Sequence, residues 1–129
     1  MSPTARTLAL LRSQGFLAQV VEQTVPHTYI KRDLFGFIDV IAVTATSIIG
    51  CQVTTGDNLA ARLDKIRGEC RDKALAWLRA GGKIHVYGWR KVGGKGMRKL
   101  WAPRVVGVLE NDGELVVPGE EIRESSARP

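Results

Sequence analysis

The stretch from Phe35 to Thr54, FGFIDVIAVTATSIIGCQVT, constrains this chain most. Two β-branched runs flank a short polar break, with one acid, Asp39, in the first run and Gln52-x-Thr54 closing the second. A hairpin folded about Ala45-Thr46 sets position 39 opposite position 52, and directly opposed residues have Cβ atoms roughly 5 Å apart. A carboxylate and an amide then converge at one spot of an otherwise apolar sheet. Burying them is costly unless something binds them, and a hard divalent cation suits oxygen donors of this kind.

The hairpin is apolar on both faces: Ile38, Val40 and Ala42 are expected to point one way, and Ile41 and Val43 the other, together with Asp39. A sheet apolar on both sides is usually covered on both sides, by helices or a partner chain. Helices are available. Thr4 to Gln14 has helix formers and stops at Gly15; from Leu59 the apolar positions Leu63, Ile66, Cys70, Ala74 and Trp77 recur at threes and fours up to Gly81-Gly82, with Asp57 as the expected cap. Further strands are expected at Phe16 to Val25, ending at Pro26, at Lys83 to Trp89 and at Leu100 to Leu109, where Pro103 argues for an edge or bulge position. The order is helix, three strands, helix, two strands.

At 129 residues the chain suits one domain, expected over residues 1–109, with an acidic and partly mobile tail over 110–129. The net charge of +6 favours polyanionic partners. That charge is unevenly spread. From Lys73 to Leu109 there are nine Lys or Arg residues and no acid, and five of them (Arg90, Lys91, Lys95, Arg98, Lys99) crowd a Gly-rich turn flanked by Trp89 and Trp101, which are expected to pair across it. Cations on such a turn can track phosphates without reading sequence. Cys51 and Cys70 lack metal-site or disulfide spacing and read as small buried hydrophobes. No run approaches the ~20 apolar residues of a membrane span, and no secretory pattern opens the chain, so a cytosolic protein is expected. His27 and His85 have no partner at readable spacing, and no phosphate-binding or Ser-nucleophile motif is present.

Asp39 is the leading candidate ligand. Gln52 and Thr54 share its face; the Gln52 amide oxygen and the Val53 carbonyl are oxygen ligands suited to Mg²⁺, and the Thr54 hydroxyl can orient a water. Glu22 breaks the apolar pattern of QVVEQ and offers a second carboxylate, while Arg32 and Asp33 precede the Phe35-Gly36 turn and either join the site or tie down the loop.

The order of elements, the run Asp33-Leu34-Phe35-Gly36-Phe37-Ile38-Asp39 and the later Gln52-Val53-Thr54 resemble the PD-(D/E)xK nuclease superfamily, and within it the small phage-encoded and archaeal-type Holliday junction resolvases. The resemblance spans Thr4 to Leu109. It implies an α/β, restriction-endonuclease-like αβββαβ core with a mixed central sheet flanked by helices, and a homodimeric, Mg²⁺-dependent (or Mn²⁺-dependent) endonuclease selective for four-way or branched DNA. In a phage it would act in the host cytoplasm. Asp39 matches the metal-binding Asp, Gln52 stands for the motif Glu and Thr54 for the motif Lys; Glu22 matches an additional acidic ligand. The two replacements remove one negative charge and one cation, and Lys31, Arg32 or Lys65 are the nearby substitutes for the lost lysine. Two rivals share these residues: a non-catalytic DNA-binding protein on a degenerate nuclease fold, and a general DNA endonuclease without junction selectivity.

Overall fold

A computed structural model describes residues 1–119. Its first helix, α1 (Pro3–Ser13), starts where Ser2 accepts the Ala5 N–H on its hydroxyl at 3.1 Å and Pro3 occupies the first turn. Strand β1 (Leu17–Val20) follows, then a small side ribbon of β2 (Gln23–Thr24) and β3 (Lys31–Arg32). The single strand expected over Phe16 to Val25 therefore breaks after Val20. The break has a cause: the N–H groups of Val21 and Glu22 both donate to the Asp39 carbonyl, at 2.8 and 3.3 Å, which kinks the chain there.

The two β-branched runs pair as expected. Strands β4 (Val40–Val43) and β5 (Ile48–Thr55) are antiparallel, with Val40 opposite Cys51 and Val43 opposite Ile48. Thr44 closes the turn by accepting the Thr46 and Ser47 N–H groups on its hydroxyl. Chain order then crosses over through two helices, α2 (Leu59–Arg67) and α3 (Arg71–Arg79), to β6 (Lys83–Val92), which lies parallel to β5. One continuous helix was expected here. Instead Gly68 ends α2, and Cys70, expected on a helix, sits at the junction as the residue before α3. Asp57 makes no side-chain cap; it lies inside a short 3-10 turn, Gly56–Asn58, that leads into α2.

Strand β7 (Leu100–Asn111) pairs antiparallel with β6, and β8 (Glu114–Val116) pairs with the end of β7. The sheet order is β1-β4-β5-β6-β7-β8, a mixed six-stranded sheet. Pro103 faces Trp89 on β6, and β8 reaches only Leu109 to Asn111, so the proline occupies an open edge as expected. The acidic tail is corrected at its start. Asp112 and Gly113 take positive φ values of 51° and 81° in a tight turn, and Leu115 and Val117 are buried in the core. Residues 120–129, the remainder of that expected tail, lie outside the described residues.

Helices cover both faces of the sheet. On one side Leu11 of α1 packs over Ala18, Val40, Ala42, Ile49, Cys51, Val53 and Trp89. On the other, α2 and α3 bring Leu59, Leu63, Ile66, Ala74 and Leu75 against Phe37, Ile84, Val86 and Val108. Ile38 joins this second cluster rather than Val40 and Ala42, because Leu34 to Ile38 is a tight turn and the strand alternation begins only after it. Among the described residues no helix is long and apolar enough to cross a membrane.

Gly82 marks the return from α3. A Cβ there would meet the Trp77 indole, whose N–H donates to the Lys83 carbonyl at 2.8 Å. Gly82→Ala should therefore lower stability by about 2 kcal/mol in denaturant unfolding, through overpacking against a side chain that is tied in place. An unchanged midpoint would show that Trp77 moves aside freely.

Candidate metal centre

Asp39 is where the ladder between β4 and β5 gives way to side-chain bonding. Its N–H donates to the Cys51 carbonyl at 2.8 Å, while its carboxylate Oδ2 accepts the Val53 N–H and the Gln52 amide Nε2, each at 2.7 Å. Cys51 and Val53 point to the α1 side, so Asp39 and Gln52 face the α2–α3 side. Both are buried, Asp39 4 % and Gln52 1 % exposed. The pairing of acid and amide expected from the hairpin register is present.

Two more acids join them. The kink at Val21-Glu22 carries Glu22 inward, and the turn through Phe35 and Gly36, with φ of 56° and 83°, returns Asp33 beside Asp39. Carboxylate oxygens of Glu22, Asp33 and Asp39 all lie within 4.8 Å of one another. Gln52 Nε2 bridges Asp33 and Asp39, lying 3.3 Å from Asp33 Oδ2. Lys65 of α2 sets its ammonium 3.9 Å from Asp33, and exposed Lys31 reaches Glu22 at 3.4 Å.

Burial, the hydrogen-bonded Asp33 and the charges of Asp33 and Glu22 push the Asp39 carboxyl up to about 8, against the lowering effect of the Val53 N–H. The folded state thus holds this proton more tightly than the unfolded chain does. Stability of the metal-free protein should accordingly fall as pH rises from about 4 to about 8, the window between the two values. Thermal melts across that window in chelator check it, and a rise in melting temperature with pH would contradict it.

These residues fit a cation. Three close carboxylates repel one another, and the donor set is all oxygen, which suits a hard divalent ion rather than a thiolate-seeking one. Gln52 Oε1 is buried with no hydrogen-bond partner, since its amide turns Nε2 toward the acids. A half-turn of that amide would present the oxygen instead, once a positive charge sits among the carboxylates. Burial and the Asp39 charge push the Cys51 thiol up to about 12, and burial also raises Cys70, which lines the cleft with its S–H directed at the Gly36 carbonyl.

The other expected site residues are placed as follows. Val53 donates its N–H to Asp39 and lines the same cleft as the acids. Thr54 is buried on the same face, yet it is not among the residues lining the open cleft, of about 870 Å³, that contains the three acids. That cleft is lined by Lys31, Arg32, Lys65 and also by Arg62, Glu69 and Lys73, which sequence reading passed over. Their spacing on α2 and beyond, 62, 65, 69 and 73, was the available signal. Arg90, Lys91, Lys95, Arg98 and Lys99 are exposed on the β6–β7 arm and do not line the cleft. Trp89 and Trp101 do not pair. Trp89 is buried with its indole N–H on the Thr7 hydroxyl at 2.8 Å, whereas Trp101 is exposed beneath the cations of Arg6 and Lys91, 4.6 and 5.4 Å from its ring centre.

Comparison of the sequence with protein-family models and with curated proteins gives no match. What the geometry defines is an α/β protein with a mixed central sheet and an acidic triad able to hold a metal ion.

Proposed function

We propose that this chain is a divalent-cation-dependent DNA endonuclease of the PD-(D/E)xK kind, similar to Holliday junction resolvases and acting as a homodimer in the cytosol. One observation carries the reading: an acidic cluster of Glu22, Asp33 and Asp39 at the end of a central hairpin, inside a cleft whose lining adds five cations, Lys31, Arg32, Arg62, Lys65 and Lys73, against one further acid, Glu69. Acids alone in such a cleft would repel a polyanion. Cations around them attract it, and the combination is what a metal-assisted phosphodiester cleavage site needs.

Asp39, Asp33 and Glu22 would hold Mg²⁺ or Mn²⁺, with the Gln52 amide as a neutral fourth donor in place of a motif Glu. The bound ion supplies Lewis-acid activation of the scissile phosphate and a water of lowered pKa. Lys65 takes the part of the lysine that Thr54 replaces. It approaches from α2 rather than from β5, and its ammonium beside Asp33 can offset charge that grows on the phosphate as the bond breaks. Arg32, Arg62 and Lys73 orient the strand through its phosphates. The Val53 N–H and the Gln52 amide both bond to Asp39 Oδ2 and fix the orientation of that carboxylate.

A labelled four-way junction, compared with linear duplex at matched salt in Mg²⁺ and in Mn²⁺, tests the reading. Cleavage of the junction in preference to duplex is expected. A junction left intact with both ions sinks the catalytic claim and leaves a DNA-binding protein. Equal cutting of both substrates leaves a general endonuclease. In the same assay Lys65→Met should slow single-turnover cleavage by about a hundredfold with Mn²⁺ affinity retained; full activity would exclude Lys65 from the reaction.

A further inference from the structure

Phe35 is placed where folding alone gives it no reason to be. The turn it occupies drives Leu34 and Phe37 toward the core, yet the Phe35 ring stays 48 % exposed. Its φ of 56° is a conformation that an aromatic residue adopts at a cost and that Gly or Asn would take readily. The ring leans on Trp77 of α3, with centroids 6.3 Å apart and planes tilted by 55°. Behind the pair lies an apolar pocket of about 360 Å³, walled by Phe35, Lys73, Ala76, Trp77 and Ala80. Phe35 and Lys73 belong equally to the acidic cleft. The two cavities share a wall.

We infer that this pocket receives the nucleobase next to the scissile phosphate, stacked on the Phe35 ring with its edge toward Trp77, while Lys73 holds the phosphate between the two cavities. This rests on the nuclease reading above. A DNA strand presents a charged link and a flat apolar base one bond path apart, and here an anion-attracting cleft and an aromatic-walled pocket stand in the same relation. Every base has a π-face, so such a pocket tolerates sequence. It does not tolerate a paired, stacked base. Only a nucleotide already splayed at a branch point, flap or mismatch enters without the cost of unstacking, a few kcal/mol for ordinary duplex. Structure selectivity then arises within one subunit, before any geometry between two subunits acts.

The test uses the full-length protein and a branched substrate whose cleaved bond has first been mapped. An abasic residue is placed on either side of that bond in turn. For wild-type protein, one of the two placements should slow single-turnover cleavage by about tenfold, the usual scale of one base–aromatic stack. Phe35→Asn, which suits the left-handed backbone and removes only the ring, should slow cleavage of intact substrate to a similar degree and lose the sensitivity to the abasic residue. Its Mn²⁺ affinity by titration calorimetry should stay at the wild-type value. Wild-type indifference to both abasic placements, or full sensitivity in Phe35→Asn, overturns the inference while leaving the nuclease reading intact. Lost Mn²⁺ affinity in Phe35→Asn overturns it too, by showing that the ring only holds the Asp33 loop. So does conversion of a dimer to a monomer in sedimentation, which would mean that a second copy of the chain fills the pocket. Absence of any cleavage by wild-type protein removes both readings together.

Discussion

Asp39→Asn should abolish divalent-dependent DNA cleavage, by about a thousandfold or more, and simultaneously make the metal-free protein harder to melt. The two effects share one cause. Asp39 is buried beside Asp33 and Glu22, and its carboxyl is held up near 8 because ionising it there is unfavourable. The unfolded chain ionises it freely above its ordinary value of 3.8. At pH 8 the native state therefore carries a penalty that the unfolded state lacks, on the order of 2 kcal/mol after allowance for relaxation around the group. An asparagine keeps an oxygen to accept the Val53 N–H and the Gln52 amide proton, and it adds N–H donors facing the remaining acids. The penalty disappears. Melting temperature in chelator should rise by several degrees at pH 8 and by much less at pH 5, where Asp39 is already protonated in the folded protein. The variant should also lose the stabilisation that Mg²⁺ gives the wild type. A variant that melts lower than wild type at pH 8 would show that Asp39 serves folding, and retained cleavage would take it out of the reaction.

Gln52→Glu is expected to have the opposite sign and a larger effect on stability. The Gln52 Nε2 donates to Asp39 and lies within reach of Asp33, and the residue is almost wholly enclosed. A carboxylate in its place converts two favourable contacts into acid-against-acid contacts at the centre of the protein. The loss should be about 3–5 kcal/mol in chelator at neutral pH, enough to unfold a marginal domain of this size. Divalent cations should restore it. A fourth carboxylate raises affinity for the ion, and binding to the native state alone stabilises by mass action, ~2.7 kcal/mol at a hundredfold excess over Kd. Circular dichroism with and without Mg²⁺ or Mn²⁺ measures this directly. Metal rescue of the fold would locate the ion at Gln52; a variant as stable as wild type in chelator would mean that the contacts of the Gln52 amide with Asp39 and Asp33 do not hold the cluster together.

The contrast between these two substitutions explains what the sequence made legible. The register of β4 on β5 was readable because both strands are β-branched and joined by a four-residue polar turn, so pairing is local and its arithmetic is fixed. That placed Asp39 with Gln52 and left Asp33 and Glu22 undecided. Their arrival depends on a kink at Val21-Glu22 and a left-handed turn at Phe35-Gly36. Each is set by what the neighbouring chain allows, which periodicity does not report. Gly36 advertised the turn, but Phe35 at positive φ did not.

Other misses have nameable signals. Gly68, inside a long apolar stripe, was a C-cap that the continuous 3-and-4 spacing obscured, and the two helices it separates keep one buried face. The Asp112-Gly113 pair followed by Glu-Leu-Val-Val was a hairpin signature masked by the acids around it. Lys65 was legible as one of three candidate cations, with Lys31 and Arg32, and nothing in the sequence ranked them. That its ammonium lies 3.9 Å from Asp33 and lines the acidic cleft depends on how α2 sits against the sheet, which is tertiary information.

Crystals grown or soaked in Mn²⁺ and measured at a wavelength where manganese scatters anomalously offer the most direct trial. A peak is expected at ~2.2 Å from carboxylate oxygens of Asp39 and its acidic neighbours Asp33 and Glu22, with the Gln52 amide turned so that its oxygen faces the ion, and no such peak in Asp39→Asn. A map featureless at these carboxylates in Mn²⁺, while the Gln52 amide keeps its nitrogen toward Asp39, would contradict a metal-dependent chemistry at this cleft.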